Sequence, residues 1–320
     1  MSTSTPAQGA SLAVIGAGTW GLALAAAAAR AGTSTVLFSR RGEVKPPKGV
    51  TLTKDLAVAA SRAHLLILAV PSSAAEEVAR QLGDHVDGRH FVVHGVRGLA
   101  NDGATGLRTV SDVVRAETPV HRVGALGGPA LMADLRAGKP GVLLCGSAYD
   151  EVNRAVHAAF NCRTLRCYTT HDLRGLEWGS ALVGCLAIGI GYAQALDMSP
   201  GLVAAVISRS IEEASRIAAA AGGEERTMLG LAGYGDLLAC IAQKERPEVR
   251  VGAALAKGMS LDKAVKSADL RVEAVELIPR VNAWADEHHV RAPIFAALRR
   301  LVYGESSPEK LIEDLMTYDR

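Results

Sequence analysis

The chain has 320 residues, 49% apolar and only 4% aromatic, with a formal net charge of +2. That length predicts two domains with cores of Ala, Val, Leu and Ile. The near-balanced charge, without a long basic or acidic run, leaves no case for a nucleic-acid or membrane-surface binder.

Residues 1–9 are rich in Ser, Thr and Pro and lack the basic region of a signal peptide, so no leader is expected. Residues 12–15 form an apolar run that predicts a strand. The glycine turn Gly16-Ala17-Gly18-Thr19-Trp20-Gly21 follows, then an alanine-rich helix to about residue 31, stopped by Gly32. A second β-branched run occupies 33–38. This strand–turn–helix–strand order predicts a dinucleotide site. Gly16 permits the tight turn, Gly18 lets the backbone approach a pyrophosphate, and Gly21 lets the helix pack on the strand. The free N–H groups of the first helical turn, at Thr19 and Trp20, face the phosphates. At the end of the second strand stand Ser39, Arg40 and Arg41, with Glu43 slightly later. An acidic residue there would bind a ribose 2′-hydroxyl. A serine and two arginines suit a 2′-phosphate instead, so the expected cofactor is NADP or NAD, with NADP favoured. The alternative is a pair of solvated arginines.

The alternation continues with strands predicted at 63–70, 90–94, 122–126, 141–145 and 164–168. A helix at 74–82 follows Pro71 and is expected to be capped by Ser72 or Ser73. The loops at Pro71, 95–99 and 127–130 are expected to line one cleft, because ligands bind beyond the carboxyl ends of such strands. His94 and His171 are placed at strand ends facing that cleft. From residue 173 the strand patterns vanish and the rest reads as helices, the first at about 176–196. The expected fold is therefore α/β. A Rossmann-like dinucleotide-binding domain spans 10–174 and an all-helical substrate domain spans 175–320. The longest apolar stretch, 181–195, is interrupted by glycines and is shorter than a membrane span. The five cysteines lack metal-ligand spacing and read as free thiols in a reducing cytoplasm. No histidine pattern suggests a metal.

Seven segments together resemble the bacterial NAD(P)-dependent glycerol-3-phosphate dehydrogenase family. They are the glycine turn at 16–21, Ala-Val-Pro-Ser at 69–72, Arg-Gly-Leu at 97–99 and Gly-Gly-Pro-Ala at 127–130. Tyr-Thr-Thr-His-Asp at 168–172, Gly-Leu-Glu-Trp-Gly-Ser-Ala-Leu at 175–182 and Gly-Leu-Ala-Gly-Tyr-Gly-Asp-Leu at 230–237 complete the set. The resemblance implies hydride transfer between dihydroxyacetone phosphate and glycerol 3-phosphate, and a homodimer. It extends the cofactor-binding set to Pro71 and Ala130. It places Arg97, Gly128 and Asp236 at the substrate, where Arg246 and Arg250 flank the phosphate-binding positions, and makes Asp236 and Arg97 candidate catalytic groups. From their strand-end positions, His94 and His171 are candidates for a replacement acid, with His171 the candidate catalytic group of the two.

The chain departs from the family at several of these positions. Where the family carries its catalytic lysine and a following asparagine, this sequence has Val183 and Gly184, and valine moves no proton. A second family lysine corresponds to Arg97, which keeps the charge but is too basic to shuttle a proton. The family's Arg-Asn phosphate pair corresponds to Pro247-Glu248, a threonine to Cys240, and the serine of the Gly-Pro-Ser loop to Ala130. Lys244, Arg246 and Arg250 could still bind an anion, opposed by Glu245 and Glu248. The expectation for 243–250 is a solvated charged loop. The family reading is therefore an oxidoreductase weak on dihydroxyacetone phosphate. The alternative is a cofactor-binding pseudoenzyme acting as a sensor or partner protein.

Overall fold

The computed structural model describes residues 11–41, 44–103, 106–268, 270–306 and 310, so Glu43 lies outside the described residues. The chain divides into two compact units, one of Met1–Ala100 with Arg108–Glu177 and one of Asn101–Leu107 with Trp178–Arg320.

The first unit opens with β1 (Ser11–Ile15), α1 (Thr19–Arg30) and β2 (Ser34–Phe38). Next come β3 (Val50–Thr53), α2 (Leu56–Ser61) and β4 (Leu65–Leu68). Then α3 (Ser72–Gly83) leads into β5 (Phe91–His94). A two-stranded ribbon, β6 (Ala100–Asp102) and β7 (Gly106–Arg108), interrupts the alternation. The pattern resumes with α4 (Val110–Glu117), β8 (Val123–Gly127), α5 (Met132–Ala137), β9 (Gly141–Gly146), α6 (Asp150–Phe160) and β10 (Leu165–Thr170).

Eight strands form one sheet in the order β10-β9-β8-β5-β4-β1-β2-β3. The central strands, Leu-Ala-Val-Ile in β1 and Leu-Leu-Ile-Leu in β4, are buried throughout those four residues, as expected of a parallel sheet covered on both faces. Every neighbouring pair is parallel except β8–β9, which is antiparallel. That one reversal has a consequence for the site. The carboxyl ends of β1, β2, β4, β5 and β8 share one edge of the sheet, while those of β9 and β10 lie at the opposite edge.

Several local details differ from the sequence reading. β3 and α2 were not anticipated, because Val50–Thr53 is a short edge strand without a buried face and α2 has a single turn and a half. α2 is nonetheless well started: the Asp55 carboxylate accepts from Ala57 N at 2.8 Å. α3 begins at Ser72 itself with Pro71 at its cap position, so neither serine caps it.

The remaining helix of the first unit runs on into the second: α7 (Leu173–Ala195) starts earlier than expected because the Asp172 carboxylate caps it, accepting from Gly175 N at 2.8 Å. It is long and apolar enough to span a membrane by composition, but nearly nine-tenths of its apolar window is buried inside the protein.

The second unit is helical from Trp178 onward. It holds α8 (Pro200–Ala220), α9 (Glu225–Leu229), a π-helical turn at Leu231–Gly235, and α10 (Asp236–Ala242). α11 (Pro247–Ala256), α12 (Leu261–Ser267), α13 (Glu273–Glu287) and α14 (Pro293–Val302) complete it. α7 and α11 cross in backbone contact. A Cβ at Gly252 would lie 1.9 Å from the carbonyl oxygen of Ile188, and one at Gly191 would lie 2.1 Å from that of Val249.

Candidate functional site

The glycine turn is held by backbone alone. Gly16 N donates to Phe38 O at 3.1 Å, and Ala69 N donates to Ile15 O at 2.9 Å, which fastens the turn between β2 and β4. Gly16 has φ +118°, a left-handed conformation that only glycine adopts cheaply, and a Cβ there would meet Ala69 O at 2.4 Å. A Cβ at Gly21 would lie 1.9 Å from Gly16 O. Gly18 is different: a Cβ there would meet nothing within 4 Å, and its φ of −71° suits any residue. The fold therefore does not require glycine at 18. What the absence of a side chain leaves is an exposed, open approach to the start of α1. No side chain caps that start and no acidic residue stands in its first turn. Amide donors and the positive end of the helix dipole at Thr19 and Trp20 are thus left for an anion.

The other loops at this edge join the turn by contact. The Trp20 indole lies against Gly95, where a Cβ would be 2.5 Å from its Nε1, and that buried N–H has no hydrogen-bond partner among the described residues. Arg97 is half-buried and donates through Nη2 to Gly128 O at 2.8 Å, tying the loop after β5 to the loop after β8. Pro71, Arg40 and Arg41 are exposed at the same edge. The Ser39 hydroxyl is occupied, accepting from Arg41 N at 3.2 Å. Ala130 is buried at the loop after β8. Its methyl is buried in the apolar core with Leu126 and Leu135, which leaves it only backbone to offer a ligand.

Neither histidine is an unengaged group at the glycine-turn edge. His94 is buried; its Nδ1 accepts from Val96 N at 3.3 Å and its Nε2 donates to Glu177 Oε1 at 2.8 Å. Glu177 also accepts from Ser111 N at 2.9 Å and Ser111 Oγ at 2.7 Å, so the network is closed on itself. It pins the start of α4 and the 95–99 loop to the first turns of α7. His171 follows β10, and the antiparallel β8–β9 pair puts that strand end at the edge opposite the glycine turn. The expectation of a catalytic His171 is corrected on that ground. It is exposed and pairs with Asp150 at 2.7 Å, a contact that holds the Asp150 carboxyl below its ordinary pKa.

In the second unit, Asp236 opens α10 and is buried. Arg246 reaches back to it, donating from Nη1 to Asp236 Oδ1 at 3.1 Å and to Cys240 Sγ at 2.9 Å, while Nε donates to Glu248 Oε2 at 3.1 Å. Burial opposes the guanidinium charge, but Asp236 and Glu248 outweigh it and hold the Arg246 pKa above its ordinary value. The expected solvated loop is thus found only at exposed Lys244 and Glu245. Pro247 starts α11, with Arg246 in extended conformation at its cap position. Arg250, expected at the substrate, instead donates to the carbonyls of Ser267 and Ala268 and closes the end of α12. Cys240 and Gln243 were not singled out as contributors to this cluster. Only the i, i+4 spacing of Asp236 and Cys240 hinted at a shared helical face. Val183 and Gly184 are buried within α7.

Two family models match the chain: the N-terminus of NAD-dependent glycerol-3-phosphate dehydrogenase over residues 42–152 and its C-terminus over 172–313. A glycerol-3-phosphate dehydrogenase (NAD(P)+) of Halorhodospira halophila is 30% identical over 323 residues, 95% of this chain and 96% of that protein. One from Xanthomonas oryzae is 31% identical over 328 residues, 97% of this chain and 95% of that protein. The chain belongs to this dehydrogenase family. The fold agrees: glycerol-3-phosphate dehydrogenase from Coxiella burnetii superposes with a TM-score of 0.87 at 24% identity, covering 96% of this chain and 99% of that one. The yeast enzyme gives 0.84 at 18% identity, covering 96% and 99%. Family membership therefore rests on the full-length sequence relatives, and the architecture on the structures.

Proposed function

We propose that this chain is an NAD(P)-dependent oxidoreductase that moves a hydride to or from a small hydroxyl or carbonyl compound. On this reading, residues 10–174 bind the cofactor and 175–320 the substrate. The observation that carries it is Gly18. The fold has room for a side chain there, yet the residue is glycine at the mouth of an uncapped helix N-terminus. Gly16, Gly18, Thr19, Trp20 and Gly21 would hold a pyrophosphate by backbone, beside Pro71. Exposed Arg40 and Arg41 favour a 2′-phosphate and hence NADP over NAD. When bound, the nicotinamide supplies or accepts the hydride. The chain's own part is to orient substrate, with Arg97, Gly128, Asp236 and Arg246 the groups assigned to it. A cytoplasmic homodimer completes the reading, in keeping with five cysteines that are all free thiols.

Activity on dihydroxyacetone phosphate is expected to be weak. Val183 offers no proton where the family resemblance places a lysine, and general acid catalysis is typically worth ~10²–10⁴-fold. Pro247 and Glu248 offer no phosphate clamp. The test is NADPH oxidation by the purified chain with dihydroxyacetone phosphate, beside a calorimetric titration of NADPH and NADH. Saturable cofactor binding with turnover well below the usual enzyme range of ~1–10³ s⁻¹ is expected. Turnover inside that range would refute the weak-activity reading. Cofactor binding without turnover on any small carbonyl compound would favour a sensor, the second reading that the buried Val183 supports.

A further inference from the structure

Arg246 carries five N–H donors. Nε–H serves Glu248, and the two hydrogens of Nη1 serve Asp236 and Cys240. Nη2 is buried and has no acceptor among the described residues. The side chain is only 8% exposed, so this is a charged donor withdrawn from water without compensation, a costly state. One turn earlier, Gln243 Oε1 is likewise buried without a partner, and Arg246 N donates to Gln243 O at 2.9 Å, so both residues belong to one turn. A group that accepts one hydrogen bond and gives another could serve both an orphan donor and an orphan acceptor on the same turn. A hydroxyl does both, whereas a phosphate dianion gives none.

Charge points the same way. The guanidinium is already matched by two carboxylates, Asp236 at 3.1 Å and Glu248 at 3.1 Å. An incoming phosphate would meet one cation whose charge is spent and two anions at close range, and like charges so placed are costly in a site of low dielectric. Arg250, four residues on, donates to carbonyls at the end of α12.

We infer that Arg246 and Gln243 form a subsite for a hydroxyl of a neutral polyhydroxy or hydroxycarbonyl compound, and that Asp236 and Glu248 select against phosphorylated ones. This deepens the oxidoreductase reading and rests on it for the identity of the ligand as substrate. The subsite itself stands on the two orphan groups and the charge count.

The test is a ligand-observed NMR titration of the full chain with dihydroxyacetone and with dihydroxyacetone phosphate at fixed ionic strength, repeated on Glu248→Gln. The expected result is that wild type binds dihydroxyacetone more tightly than its phosphate. Removing the Glu248 charge should then tighten the phosphate at least about 10-fold while moving dihydroxyacetone by less than about 2-fold, a tenfold change being ~1.4 kcal/mol. Tighter binding of the phosphate by wild type would overturn the proposal. So would an unchanged phosphate affinity in Glu248→Gln, or binding of neither compound, which would leave a trapped water as the occupant. An NADPH titration on the same samples separates the two claims. Cofactor binding with a preference for the phosphate compound defeats only the subsite. A neutral ligand bound without any cofactor binding defeats only the oxidoreductase reading.

Discussion

At the glycine turn the structure leaves side chains out; around Arg246 it crowds them in. The turn consists of backbone held by Phe38 and Ala69, with glycine where a Cβ would strike a carbonyl and, at Gly18, where it would strike nothing. The Arg246 cluster places a guanidinium, two carboxylates and a thiol in contact within one unit. The first kind of site is indifferent to most neighbouring substitutions. The second depends on every member, because removing one leaves the others buried and unmatched.

The largest expected effect breaks the second region. Arg246→Met leaves Asp236 and Glu248 without their cation, and should cost about 3–5 kcal/mol in urea denaturation. A loss below about 1 kcal/mol would show that the cluster is not held by charge.

A second buried carboxylate in the same unit sharpens the comparison through pH. Glu213 accepts from the backbone N–H groups of Ile294 and Phe295 at 3.0 and 2.8 Å and so caps α14. Burial pushes its pKa up to about 7 from an ordinary 4.5, against the pull of those two N–H groups and of Arg216 and Arg209. A raised folded-state pKa means that the contribution to stability is fully present below pH 4.5 and is lost as pH rises through about 7. The loss across that window should be roughly 3 kcal/mol. Thermal midpoints of wild type and Glu213→Gln, taken from pH 4.5 to 8, should show the fall in the first and a flatter profile in the second. Parallel profiles would assign the slope elsewhere.

Much of the first region was legible in the sequence, and the reason is physical. Central parallel strands are continuous apolar runs, and glycines at a βα turn are demanded by backbone geometry, so both leave local marks. What was not legible depended on long-range contacts. The antiparallel β8–β9 pair, which carries His171 to the wrong edge, has no local signature. His94 reads as a free acid until Glu177, 83 positions later, is found beside it. Residues 243–250 read as a solvated loop because five of the eight carry charge; only folding shows that Arg246 turns inward while Lys244 and Glu245 face water.

A smaller effect is expected within the turn itself. Gly21→Ala forces a Cβ against Gly16 O and should cost about 2 kcal/mol of stability through backbone displacement. Gly18→Ala meets nothing and should leave the thermal midpoint unchanged. That pair isolates what the glycine at 18 is for.

The most direct measurement is thus a calorimetric titration of NADPH into wild type and Gly18→Ala at matched stability. Saturable binding of NADPH to wild type, weakened about 10-fold or more in Gly18→Ala, is the expected result, since the added methyl would occupy the pyrophosphate's approach. No binding to wild type, or equal affinity in both, would mean that the turn does not receive a dinucleotide.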